Sequence, residues 1–347
     1  MERRVTIRDI ARALGCHHST VSLALRDDAR LPQETRRRVQ EAAEKMGYRP
    51  DPMVQALAFY RTAVKPATDH GKLAWLSNER EPQFGPNYSF RRYADGAEER
   101  AAKLGYRLEE FVLRSPGMTP RRMVQILQTR GITGIIVAPQ PTLRIRARIR
   151  MDWSPFSAVS IGYSLAWPPL HMVTNHQFNT AKMAYRKLIS LGCRRIGICI
   201  YRVVNERCNG GFLGGYFSES LRRPSVMHVP PYVYNRRDTK EMKAWFLENR
   251  PEAVIVHDSR DIEWMEQELK LRIPEDVCMV CLGETSKGYA HISQNSHEVG
   301  AAAVDLLVSM IQRNERGIPE IPHRLLIEGT WHDGHTVRRV NVPEISE

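Results

Sequence analysis

Four short stretches carry side chains whose types and spacing could do chemistry. CHHSTVSLAL, residues 16–25, sets a cysteine and two histidines beside two small hydroxyl residues and then turns apolar. Such a run suits a metal site, a piece of core, or a surface that touches another molecule. Cys278 and Cys281 have C-x-x-C spacing, but they lie in DVCMVCLG, an apolar run that reads as a buried strand and not as the exposed helix start a redox pair needs. RIRARIR, residues 144–150, places arginine at every second position, as a polyanion site would, or a solvated edge or helix face. TWHDGHT puts His332 and His335 close together near the C-terminus, a spacing that raises zinc as an option.

Other chemistries have no carrier. The chain shows no phosphate-cradling glycine loop after its first strand, no G-x-S-x-G elbow and no recognisable metal cluster, so an enzyme is not expected and no cofactor is implied. Six cysteines (16, 193, 199, 208, 278 and 281) are scattered over 347 residues without finger-type spacing, which predicts reduced thiols. Lys and Arg total 51 against 39 Asp and Glu, a net charge of +12, and a chain this basic expects a polyanion among its partners. The N-terminal MERRVTIRDIARALG lacks a signal-peptide apolar run, and no segment approaches the ~18 apolar residues of a membrane helix. A cytoplasmic protein with no membrane partner is the expectation.

The elements that must position these residues fall into two styles. Residues 1–48 read as three short helices. Thr6 caps the first with Asp9 in capping-box position, and Ile7, Ile10, Ala11 and Leu14 share one face before Gly15. The second runs from about His18 to Leu25 with Val21, Ala24 and Leu25 inward; the third follows Pro32 and turns Val39, Ala42, Ala43 and Met46 inward before Gly47. Two helices across a tight glycine-containing turn, backed by a third, make a helix-turn-helix. In residues 49–61, Asp51 and Pro52 start a hinge helix of about two turns, marginal in water on its own. Residues 62–71 read as a linker.

From Lys72 apolar strands alternate with amphipathic helices: KLAWLSN, RRYADGAEERAAKLGY, RLEEFVL and onward to DVCMVCLG. NERCNGGFLGGYFSESL reads as one of these helices. The pattern predicts an α/β fold of two doubly wound parallel-sheet lobes, with a ligand cleft at the strand ends between them. This effector-binding and dimerisation domain is expected over 72–335, with lobe 1 at about 72–173 and 295–322, lobe 2 at about 174–294 and 323–335, and a C-terminal tail at 336–347.

VTIRDIARALG, STVSLAL and ETRRRVQEAAEKMGYRP, with Thr20, Val21 and Ser22 as a TVS triplet, resemble the DNA-binding domain of the lactose-repressor (LacI) family of transcription regulators. ADGAEERAAKLGY, RGITGIIV, LISLGCRRIGI, IPEDVCMV and HEVGAAAVDLL resemble landmarks of that family's periplasmic-binding-protein-like effector domain, in the same order. The resemblance covers nearly the whole chain. It implies a homodimer that binds a near-palindromic double-stranded operator, as a repressor, and changes affinity when a small molecule, such as a carbohydrate, enters the cleft. The rival reading is a solute-binding protein of the same fold without a DNA role.

A second helix of this kind lies in the major groove with its N-terminal residues facing base edges. His18 and Ser19 are therefore candidates for base contact, and Thr20, Ser22 and Thr6 for backbone contact. His17 stands where many members have serine at the helix cap, and Leu23 where several carry a polar reading residue; both belong to the candidate interface. Leucine forms no bidentate hydrogen bond to guanine but can touch a thymine methyl. In the hinge the resemblance carries over Leu57 as a minor-groove wedge, with Val54 beside it. For the cleft it carries over Arg207 and Gln294, and it places His257 where sugar-binding members have asparagine. Gly162 and Gly283 stand where such members have aspartate, so the carboxylates that grip sugar hydroxyls are missing. Asn78, Phe90, Asp258 and Glu284 lie near predicted strand ends and complete the candidate set. TWHDGHT matches the family's closing strand and turn.

Overall fold

The computed structural model describes residues 5–25, 30–48, 71–79, 90–140, 146–224 and 227–339. Three helices come first: α1 (Ile7–Leu14), α2 (His18–Leu25) and α3 (Gln33–Lys45). Thr6 and Asp9 form a capping box at the start of α1, and Gly15 ends it in the left-handed region at φ 63°. Ile10, Val21, Ala24 and Val39 are buried together, with Ala11 and Ala43 beside them, so one small core holds all three helices. Eight-residue helices have too few internal bonds to persist alone, and this shared core is what keeps α2 in place. The expected hinge helix, with Val54 and Leu57, lies outside the described residues, as does the linker apart from Gly71.

The first sheet holds β1 (Lys72–Ser77), β2 (Arg107–Val112), β3 (Gly134–Val137), β5 (Ser157–Ile161), β7 (His171–Asn175) and β13 (Arg324–Ile327). Their order is β13-β7-β5-β3-β1-β2, parallel throughout, with Leu73 in register between Leu108 and Gly134. Helices α4 (Arg91–Lys103) and α11 (Ser296–Arg313) cover one face through Ala94, Ala97, Val299 and Leu307. Helix α5 (Pro120–Thr129) packs Met123 and Leu127 on the other. A small parallel pair, β4 (Ala147–Arg148) with β6 (Leu165–Trp167), lies over that second face.

The second sheet holds β8 (Ile196–Tyr201), β9 (Tyr232–Tyr234), β10 (Ala253–Val256), β11 (Cys278–Cys281), β12 (His291–Ser293) and β14 (Thr330–His332). The order is β14-β12-β11-β10-β8-β9, parallel except for antiparallel β14. Helices α6 (Gln177–Ser190) and α8 (Gly211–Ser220) pack on one face, α9 (Thr239–Asn249) and α10 (Ser259–Leu269) on the other. Ahead of α8 comes a short helix, α7 (Arg202–Arg207).

Two readings change here. Residues 324–327, expected in the second lobe, hydrogen-bond to β7 in the first sheet, and β7 itself runs on through Asn175. The chain therefore returns to the second lobe between β13 and β14, because RLLI finds an open parallel edge beside β7. NERCNGGFLGGYFSESL is two helices instead of one: Asn209 and Gly210 both have positive φ, at 54° and 75°, and break it between α7 and α8. The described part of RIRARIR takes the solvated-edge form of the two expected: Ala147 and Ile149 are buried while Arg148 and Arg150 face out.

Candidate nucleic-acid interface and inter-lobe cleft

On α2 the apolar residues Val21 and Ala24 are fully buried, which turns the other side of the helix outward. His17, His18 and Ser19 are exposed at its N-terminal end, and Thr20, Ser22 and Leu23 are half-exposed behind them. Thus CHHSTVSLAL is core on one side and open surface on the other. His17 takes over the cap: its Nδ1 accepts from the Ser19 hydroxyl at 2.7 Å and, more weakly, from the Ser19 N–H at 3.4 Å. That geometry requires a lone pair on Nδ1, so the proton of the neutral ring sits on Nε2. The His18 ring lies against the His17 ring, centroids 4.1 Å apart. Thr6 is turned to its own helix, its hydroxyl donating to Asp9 Oδ2 at 2.6 Å.

The cleft residues divide into three groups. Asn78, at the end of β1, donates from Nδ2 to the side-chain oxygen of Gln140 at 2.9 Å, and Arg207, at the end of α7, donates from Nη2 to the Gln140 carbonyl oxygen at 2.7 Å. Asn78 and Arg207 thus converge from opposite lobes on one residue. Gln140 is fully buried and was not among the candidates; its signal was its place just beyond an apolar strand end, the position that selected Asn78. Burial depresses the Arg207 pKa, and it raises that of Glu79 against the lowering pull of Arg114 and Arg207.

His257 follows β10, with its ring edge-on to Phe212 at 5.9 Å. Burial holds its pKa below the ordinary histidine value. Asp258 is committed elsewhere: it caps α10 by accepting from the Arg260 N–H at 2.9 Å and is paired with the Arg260 guanidinium. Although burial would raise its pKa, Arg260 holds the carboxyl below its ordinary value. Phe90 precedes α4, half-buried, with its ring 6.1 Å from Tyr93. Burial pushes the Tyr93 hydroxyl up to about 12.

Gln294 lies at a strap between the lobes, and Glu284, in the β11–β12 loop, reaches the first lobe through Arg92. Glu284 accepts from Arg92 of α4 and from the Ser293 hydroxyl. Gln294 bonds to Asn175 at the end of β7 and to the Leu282 carbonyl. Beside them Glu328 accepts from Asn179 at 2.6 Å and contacts His176 at 2.8 Å. All three connections between lobes are therefore tied to one another by side-chain hydrogen bonds.

The remaining motifs separate in space. Cys278 packs in the core on one face of the second sheet and Cys281 in the core on the other, because residues three apart on a strand point oppositely. His332 stacks on His291 at 4.7 Å, whereas His335 meets the Tyr289 ring at 5.2 Å. Among the described residues no three His, Cys, Asp or Glu are grouped to hold a metal, and no helix is long and apolar enough to cross a membrane.

A family model described as "Bacterial regulatory proteins, lacI family" matches residues 6–51, and one described as "Periplasmic binding protein-like domain" matches residues 185–337. The chain is 24% identical over 349 residues to the transcriptional repressor CytR of Escherichia coli K12, covering 91% of this chain and 92% of CytR. It is 22% identical over 339 residues to the transcriptional repressor PurR of Vibrio vulnificus, covering 89% and 93%. Its fold is similar to that of the Lac repressor dimer bound to operator and the anti-inducer ONPF, with a TM-score of 0.52 at 16% identity over 96% of this chain and 99% of that one. With a capped helix-turn-helix unit ahead of two doubly wound lobes, the chain belongs to the LacI family of DNA-binding transcriptional regulators.

Proposed function

We propose that the protein represses transcription in the cytoplasm as a homodimer on a near-palindromic operator, under control of a small polar molecule bound between its lobes. The observation that carries the DNA reading is the two-sidedness of α2: Val21 and Ala24 anchor it, leaving His18 and Ser19 at its exposed N-terminal end for base edges. Thr20 and Ser22 supply hydroxyls to phosphates, Leu23 an apolar contact, and His17 the cap that fixes their direction. Thr6, whose hydroxyl and N–H both donate to Asp9, serves by fixing the start of α1 and not as the phosphate contact expected of it, while Val54 with Leu57 supplies the minor-groove wedge. The +12 net charge supplies the attraction to a polyanion that such contacts need.

Within the cleft, Arg207, Asn78 and Gln140 form the polar centre, flanked by Phe90 and His257. An effector with acceptor atoms replaces the Gln140 carbonyl as the partner of Arg207. Asp258 serves by setting α10, and Glu284 and Gln294 by holding the straps, so these three act on the closure of the lobes and not on the ligand directly. Hydroxyls gripped by carboxylates, the usual mode for sugars, have little counterpart here, which favours a ligand read by amides and a guanidinium.

Selection of duplexes from random sequence tests the DNA reading. The full chain should enrich a near-palindrome, bind it as a dimer and lose affinity steeply as salt rises. Loss of sequence preference, or binding indifferent to deletion of residues 1–61, would instead favour a solute-binding protein of the same fold.

A further inference from the structure

We infer that the outer flank of the first lobe carries an anion site for a nucleoside phosphate, separate from the inter-lobe cleft. Elsewhere in the first sheet α4 joins β1 to β2 and α5 joins β2 to β3, but the described part of the β3–β5 connection holds the short strand β4 instead of a helix. The alternation of a strand then sorts the RIRARIR side chains. Ala147 and Ile149 enter the core beside Trp153, while Arg148 and Arg150 emerge together on the outside. Trp167 of β6 stands in register with Arg148. These two arginines, Trp167 and Met151 line an open surface groove of about 420 Å³. That volume falls in the usual range of small-molecule sites, about 300 to 1,000 Å³.

Among the described residues the lining is two cations, an indole and a thioether, with no carboxylate. Among the described residues neither Arg148 nor Arg150 has an acidic partner, whereas Arg146, just before β4, is engaged with Asn209 of the second lobe at 3.0 Å. Two planar guanidinium forks match phosphate oxygens bidentately, and the part of the half-buried Trp167 indole that lines the groove offers a base an aromatic contact. Met151 adds a polarisable contact suited to an aromatic ring. Phosphate alone would leave the indole unused, and an apolar ligand would leave both guanidiniums uncompensated. A duplex offers phosphates but keeps its bases stacked within itself. A phosphorylated nucleoside uses each of the four described residues that line the groove.

Titration of the full-length protein with ATP, GTP and inorganic pyrophosphate, in the absence of DNA, tests this. Both nucleotides should bind saturably and more tightly than pyrophosphate. The double variant Arg148→Ala/Arg150→Ala should weaken all three by about tenfold or more, as expected for loss of charge-assisted hydrogen bonds. Trp167→Ala should bring nucleotide affinity down to that of pyrophosphate without changing pyrophosphate itself, and Trp167→Phe should restore most of it. Circular dichroism of each variant separates loss of the site from loss of fold. No saturable binding up to about 10 mM, or binding unchanged in the double arginine variant, overturns the proposal. If the double variant instead loses duplex DNA affinity while nucleotides never bind, the flank is a DNA contact and the proposal is equally overturned.

Discussion

Helices α4 and α11 cross so closely in the first lobe that one methyl group should loosen it. A Cβ on Gly96 would lie 1.8 Å from the His297 carbonyl oxygen, and one on Gly300 would lie 1.9 Å from the Tyr93 carbonyl oxygen. Both obstacles are backbone atoms of the facing helix, so no rotamer change relieves them. In Gly96→Ala the helices must part until that contact reaches roughly 3.5 Å, and a gap of even 1 Å forfeits up to half of the dispersion energy along the seam. Overpacking of this kind costs about 3 kcal/mol, and alanine's better helix propensity offsets about 1, leaving a loss of about 2 kcal/mol. Hydrogen exchange reads this lobe by lobe: amides of β1, β3 and α11 should exchange about 30-fold faster, while those of β10 and β11 keep their protection. Because α4 also carries Arg92, the partner of Glu284 across the cleft, part of the lobe closure should loosen with it. First-lobe protection unchanged in Gly96→Ala would refute the close crossing and the reasoning built on it.

Three other perturbations address the interface, the cleft and pH. His17→Ala removes the α2 cap, whose N–H bond is long at 3.4 Å, and should cost about 0.5 to 1 kcal/mol, or about two- to fivefold in operator affinity. His17→Ser should recover it; equal losses in both variants would mean that the imidazole touches DNA directly. Arg207→Ala leaves the carbonyl of fully buried Gln140 without its guanidinium and should weaken lobe closure by about 1 to 3 kcal/mol. Faster exchange around residue 140 and a larger scattering radius would register the change, and an unaltered protein would remove Arg207 from the closure. Burial lowers the pKa of both His171 and His257, so the folded state favours their neutral forms. Their contribution is therefore complete above the unfolded histidine value of about 6.5 and is lost as pH falls through the lowered native values. Urea midpoints should drop from pH 7.5 to pH 5.5, less so in His171→Gln, and a flat profile across that window would contradict the burial.

Local features of the chain were legible without tertiary structure. Thr6 with Asp9, Gly15, and the face of Ile10 and Ala11 define α1 within ten residues of sequence, because caps and helical periodicity depend on neighbours in the chain. The bounds His18–Leu25 follow for the same reason, and so does the alternation of buried strands and helices beyond Lys72. The misread pieces are those whose identity is settled by a distant neighbour. RLLI at 324–327 joins whichever sheet edge is open to it, and that edge, β7, lies about 150 residues earlier. Between the two forms left open for RIRARIR, a solvated edge and a helix face, pairing with β6 decided for the edge.

By itself, then, the sequence determined a helix-turn-helix unit, two doubly wound lobes and the family to which they belong. Only the tertiary structure decided what the individual side chains do. Asp258 and Glu284 lie at strand ends as expected, yet Arg260 and Arg92 engage them. Asn78 and Arg207 meet through Gln140, 62 and 67 positions away in the chain. Cys278 and Cys281, close in sequence, face opposite cores. The physical reason is common to all of them: backbone conformation is set largely by short-range sterics and periodicity, whereas a side chain's role depends on which groups packing brings within hydrogen-bond reach.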